Sequence, residues 1–173
     1  MRYAGAFLVA WVLAVANVSA FSYIKVLGVT PDFVLIFATC WAVIRGEPEA
    51  LMVVPFAGLM RDLLSSDPIG TSMLGFVPIV LFAAIARVQV IDSDFPPTVA
   101  VVAAGSLTFG IIQTLVLGVT GQHIEIWQVF VRVIVPGVIV NALFTPIVYL
   151  PVRWSSPRFT GLRGSRGLAS PYS

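Results

Sequence analysis

Arg61 and Asp62 stand side by side in an apolar stretch, and Ser65-Ser66-Asp67-Pro68-Ile69-Gly70 follows directly. Ionisable groups facing lipid are costly unless they are paired or lie near an interface. A segment that keeps two of them beside a Ser/Asp/Pro/Gly turn therefore does more than span. The other residue types that carry chemistry are scattered. The one histidine, His123, falls in a loop with Gly121 and Glu125, far from the one cysteine, Cys40. Together they make neither a zinc site nor a nucleophile–base pair. Gly70-Thr71-Ser72-Met73-Leu74 begins like a nucleophile motif but lacks the closing glycine, and no histidine lies in a span to serve it. Asp92 and Asp94 form an acidic pair in a turn that ends at Pro96-Pro97, without further carboxylates to hold a metal. Lys25 is the only lysine, so no phosphate-cradling Gly-Lys loop exists. The sequence thus points away from an enzyme and implies no cofactor. A channel or transporter needs polar groups along a path. The candidates are Asn17, Arg61, Asp62, Gln113, Arg132 and Asn141, a sparse set without a ring of carboxylates. Asn141 and Thr145, four apart, share a helix face, where an interhelical hydrogen bond is the simplest use.

The elements that must position these residues are membrane helices. Of 173 residues, 58% are hydrophobic and 10% charged, and the mean hydropathy is +0.99. Soluble domains average about 25% charged residues, so this chain has too little polar surface to coat a soluble globule. Twelve prolines and fourteen glycines argue against simple straight spans. Six spans are predicted, at 4–24, 31–45, 50–64, 69–86, 97–119 and 127–152, forming one membrane domain over 1–152. The second fits only if Asp32 caps its start and Arg45 snorkels at its end. The third carries Pro55, Arg61 and Asp62, and short interrupted neighbours of this kind often line a cavity or a protein contact. The first imitates a secretory signal, with Arg2 ahead of it and Val18-Ser19-Ala20 near its end, but is read as a retained span.

Six spans place Arg2, Arg45, Arg87, Arg153, Arg158, Arg163 and Arg166 on one side and Lys25 on the other. This asymmetry predicts that both termini are cytoplasmic. Tyr3, Tyr23, Trp127, Tyr149 and Trp154 lie near span ends, as interfacial aromatics do. Residues 153–173 are rich in Ser, Gly, Pro and Arg, cannot bury a core, and are expected to be a disordered basic cytoplasmic tail. Its arginines would attract anionic lipid; the same charges also serve simply as a topology anchor. Nucleic acid is not an expected partner.

Ala6, Ala10 and Ala14 repeat every four residues on the first span; Ala100 and Ala104, then Ser106 and Gly110, do so on the fifth. Such spacing lets helix backbones approach closely. It serves either packing within this bundle or a seat for a partner's helix, and the sequence does not separate the two. The Ala6, Ala10, Ala14 face is taken as the candidate partner face. The third span runs outward and the sixth inward, so Arg61, Asp62 and Arg132 fall in the same leaflet. Adjacent helical residues point about 100° apart, so Arg61 and Asp62 are not expected to share one partner. The expectation is that Asp62 pairs with Arg132 inside the bundle while Arg61 snorkels to headgroups.

Several motifs resemble the rod-shape-determining membrane protein MreD family. They are Pro31-Asp32 opening the second span, Arg45-Gly46-Glu47-Pro48-Glu49 closing it, and the run from Gly58 through Arg61 and Asp62 to Asp67, Pro68 and Gly70. Asn141 with Pro146 in the last span fits as well. The resemblance covers about residues 1–152. It implies an all-α integral membrane protein of six transmembrane helices, similar in fold to the substrate-binding S components of energy-coupling-factor vitamin transporters. It also implies a non-enzymatic subunit of the bacterial cell-elongation machinery in the cytoplasmic (inner) membrane. That subunit would bind MreC and, through it, work with the polymerase RodA, a class B penicillin-binding protein and MreB filaments in peptidoglycan synthesis. The S-component likeness supplies the rival expectation, a small-molecule-binding subunit of a vitamin transporter. The sparse polar set favours the scaffold.

Overall fold

A computed structural model describes residues 2–19, 23–65, 68–88, 95–120 and 125–155. Asp67, Ser66, Asp92, Asp94, Gly121, His123 and the basic tail beyond Ser155 lie outside the described residues. Among these residues six helices follow one another: α1 (Arg2–Ser19), α2 (Phe33–Arg45), α3 (Glu47–Leu64), α4 (Thr71–Val88), α5 (Phe95–Val119) and α6 (Ile126–Trp154). Most boundaries fall within two or three residues of the hydropathy-based expectation. The exception is α1, which ends at Ser19; the chain then reaches a tight turn in which Val26 and Val29 exchange backbone hydrogen bonds. The α5 and α6 helices are long and apolar enough to cross a membrane.

The hub is α2. At 13 residues it is only about 20 Å long, short of the roughly 30 Å hydrocarbon core. Every residue from Phe33 to Ile44 is buried, and α2 touches each of the other five helices. A helix apolar on all sides needs apolar neighbours on all sides, and α2 has no lipid-facing stripe to supply. Asp32 caps its start as expected, accepting from the Leu35 N–H at 3.1 Å. Arg45 does not snorkel. It lies 4.7 Å over the Trp41 ring and donates to the Ser155 carbonyl at 2.7 Å, where a cation complements the carbonyl end of α6. This joins the ends of α2 and α6 at one end of the bundle, the Arg45 end.

The other helices wrap α2. Ala6, Ala10 and Ala14 are 1%, 0% and 1% exposed, because α1 lays that stripe against α3 and α2; Phe7 meets Phe56 edge-on at 4.5 Å. The face assigned to a partner is therefore consumed within the chain, and the close approach that small residues permit is intramolecular. The perimeter is apolar instead: Leu8, Leu51, Leu74, Leu81, Leu115 and Leu143 are all well exposed. An apolar perimeter around a packed core suits a hydrocarbon solvent rather than water.

Candidate functional site

The charged and amide side chains of five helices converge at the end opposite Arg45, around Asp62. The α3–α4 hairpin sets the geometry. Gly58 and Asp62 are four apart and share a helix face. A Cβ on Gly58 would lie 2.8–2.9 Å from the Met73 backbone and the Ser72 carbonyl, so only glycine lets α4 start this close. One turn on, the Asp62 carboxylate accepts from the N–H groups of Gly70 (2.8 Å), Ser72 (2.9 and 3.1 Å) and Met73 (3.4 Å). The Thr71 N–H goes to the Pro68 carbonyl at 3.1 Å, and the Leu74 N–H makes the first in-helix bond, to Gly70. The four donors that a helix start leaves orphaned are thereby all satisfied, and the carboxylate sits where the helix dipole favours it. Gly70 adopts φ +98°, a left-handed conformation that glycine takes without steric cost.

Asp62 is 2% exposed, and its partners are backbone donors. The expected ion pair with Arg132 is not formed, because the α4 N-terminus satisfies this carboxylate. Arg61 departs from expectation too. Instead of snorkelling, it turns inward, its Nε 2.9 Å from an Asp32 oxygen, its guanidinium 4.6 Å over the Phe109 ring, and one NH₂ group 2.6 Å from the Ser72 hydroxyl. Ser72 is therefore shared, its N–H by Asp62 and its hydroxyl by Arg61. The reach of an arginine spans the angle between adjacent residues.

Asp32 links this pair to the last helix. Its N–H donates to the Asn141 side-chain oxygen at 2.8 Å, and the Asn141 amide donates to Ser106 at 3.0 Å. One connected network thus runs from Asn141 on α6 and Ser106 on α5, through Asp32 at the head of α2, to Arg61 on α3 and Ser72 on α4. Thr145 stays within its own helix, donating to the Asn141 carbonyl. Of the singled-out residues, Asp32, Gly58, Arg61, Asp62, Pro68, Gly70 and Asn141 come together here. Pro31 lines the cavity described next, while Pro146 lies farther along α6, toward the Arg45 end. Sequence reasoning missed Phe109 altogether, and it weighed Ser72 only as part of a nucleophile-like motif and Ser106 only as a small residue for close helix packing; nothing local marks their hydrogen-bonding roles.

Above this network opens a cavity of about 420 Å³. Asn17, Arg61, Gln113, Arg132 and Asn141 all line it, five of the six polar residues that looked scattered along the chain, and Lys25 and Asp32 join them. Arg132 reaches it from a π-helical turn, Phe130–Ile134, in which the Val135 N–H bonds back to the Phe130 carbonyl. The cause is Pro136, which has no N–H for the Arg132 carbonyl and whose ring would clash with it in a regular helix. At the opposite end, α1, α2 and α6 enclose an apolar groove of about 530 Å³, lined by Gly5, Val9, Leu13, Phe37 and Val148 among others.

Chemically, the network can hold helices in register. Its carboxylates are committed, Asp32 to an arginine and its helix cap, Asp62 to backbone N–H groups. Cys40 is buried inside α2, and no group of three metal-ligating side chains occurs among the described residues. No curated protein and no solved structure matches the chain. A family model described as rod shape-determining protein MreD, however, matches residues 1–154. That match takes in all six helices together with the network that ties them, and the chain belongs to this family of membrane-associated, cell-shape-determining proteins.

Proposed function

We propose that the protein is a non-enzymatic membrane scaffold of the bacterial cell-elongation complex, with MreC as its direct partner. RodA, a class B penicillin-binding protein and lateral peptidoglycan synthesis stand behind that contact. The observation that carries this reading is the fate of the motif's charged residues. Asp32, Arg61, Asp62 and Asn141 are spent on one another, on serine hydroxyls and on backbone groups of neighbouring helices, which is what a rigid docking platform needs and a catalytic site does not. The reading includes six spans in the inner membrane, both termini in the cytoplasm, and a likeness to transporter S components in fold rather than in cargo. With the alanine stripe turned inward, the open groove between α1, α2 and α6 is the better seat for a partner's membrane helix.

The test is capture in mild detergent followed by mass spectrometry of copurifying membrane proteins. MreC should copurify with the native chain. A Cβ on Gly5 would meet nothing within 4 Å, so Gly5→Leu fills the groove without disturbing the bundle. It should abolish capture while the melting behaviour stays native. A groove-filled variant that still captures MreC would move the contact elsewhere; absence of MreC from native preparations would sink the scaffold reading.

A further inference from the structure

We propose that the cavity at the Asp62 end binds a phosphate group, carried either by a free anion or by a lipid headgroup. The proposal stands whether or not the scaffold reading does, because it rests on charges that packing does not use. Among the described residues, three cations line this cavity, Lys25 from the α1–α2 turn, Arg61 at the floor and Arg132 from the π turn, against one carboxylate, Asp32. Asp32 is already held by Arg61, so two positive charges are left over. Among the described residues, neither Lys25 nor Arg132 has a hydrogen-bonded or ion-paired partner. Lys25 and Arg132 are both exposed at the cavity; like charges gathered there repel, and a bound anion offsets that cost.

The shape agrees with the charge. The volume lies within the usual range for small-ligand sites of about 300–1,000 Å³. The cations come from three separate elements, the α1–α2 turn, α3 and α6, and a tetrahedral group with several acceptor oxygens can engage more than one of them. Asn17 and Gln113 add amide groups on α1 and α5. The floor is fixed by the Asp32–Arg61–Asn141 network, so this side of the site is preorganised. The α1–α2 turn that carries Lys25 is held in one shape by the paired hydrogen bonds of Val26 and Val29, with Leu27 and Gly28 at φ +56° and +82°.

The experiment uses the full chain in neutral detergent and reads the thermal midpoint by tryptophan fluorescence. The probes are inorganic phosphate and dihexanoyl phosphatidic acid, with dihexanoylglycerol as the phosphate-free control. The expected result is a saturable rise in midpoint with at least one phosphate probe and none with the control. A rise with phosphatidic acid alone assigns a headgroup, with inorganic phosphate alone a free anion, and with both the phosphate group itself. Lys25→Gln and Arg132→Gln should each weaken binding about tenfold, and added salt should weaken it further. A Cβ on Gly137 would meet nothing within 4 Å, so Gly137→Leu should fill the cavity and abolish the shift while leaving the ligand-free midpoint native. Failure of both phosphate probes overturns the proposal. So does undiminished binding by a variant that combines Lys25→Gln with Arg132→Gln, or by Gly137→Leu.

Discussion

Replacing Asp62 with Asn is the sharpest probe of the network, because it removes the charge and keeps the shape. One Asp62 oxygen lies near the Gly70, Ser72 and Met73 N–H groups, and the other reaches Ser72 alone. An asparagine can put its carbonyl at the first position and keep most of those bonds. What it loses is charge assistance, since bonds to charged groups are worth about 1.5–3 kcal/mol against about 0.5–1.5 for neutral ones. The helix N-terminus also loses a carboxylate worth up to about 2 kcal/mol in partly buried geometry. These terms overlap rather than add, and together predict a loss of about 2–3 kcal/mol. Asp62→Ala leaves three N–H groups at a buried helix start without acceptors and should cost about 4–5 kcal/mol. The assay is unfolding by denaturing detergent in mixed micelles, with helicity as readout. Arg132→Gln should be nearly silent there, and its combination with Asp62→Asn additive, because the two side chains do not pair. A silent Asp62→Asn, or strong coupling between positions 62 and 132, would refute this account.

The other expected outcomes follow from the same geometry. Asp32→Asn and Arg61→Gln should each destabilise by about 3 kcal/mol, and the double variant by less than their sum, since either single change strands its buried partner; additivity in the cycle would dissolve the pair. Gly58→Ala forces a methyl against the α4 backbone and should cost about 1–3 kcal/mol in the same unfolding assay. Ala10→Leu overpacks a fully buried position, so it should lower stability by a similar amount; a stable Ala10→Leu protein that had lost only its partner would restore the alanine face as a docking surface. A cysteine placed at Ser170 should be labelled only after permeabilisation, and labelling from outside intact cells would reverse the topology.

The six helices were legible because hydropathy runs, caps and turn residues agree. Asp32, Ser65 and the Pro68–Gly70 turn mark helix ends through local chemistry, and local chemistry is what sequence displays. The centrality of α2 was partly legible as well. Phe33 to Ile44 is apolar on every side, and such a helix is either in lipid or in a core; its short length decides for the core, but only once its neighbours are seen. The alanine stripe signalled close approach without saying to what. The Asp32–Arg61 pair, 29 residues apart on different helices, left no local trace. The short, interrupted third span pointed to a cavity or a protein contact, but not to which other polar residues line it, because their convergence depends on how six helices are arranged around α2.

At Asp62, by contrast, the deciding features are local and lie within the sequence from Gly58 to Gly70. A carboxylate in low dielectric calls for a cation, and Arg132 shares the leaflet of Asp62 while adjacent Arg61 points about 100° away. Yet a helix start offers several aligned N–H donors and about half a unit of positive charge, and the sequence brings one back within eight residues, through Asp67-Pro68-Ile69-Gly70. Gly58 clears the space, Asp62 on the same face caps the returning helix, and Gly70 takes the left-handed conformation there. With Asp62 committed to α4, the rotation of about 100° per residue carries Arg61 toward the head of α2 and the Phe109 ring of α5. The adjacent charges are therefore not a pair. They are two anchors set at an angle, one fixing the α3–α4 hairpin and the other fastening that hairpin to the hub. Neither could move one position along the chain without losing its neighbour.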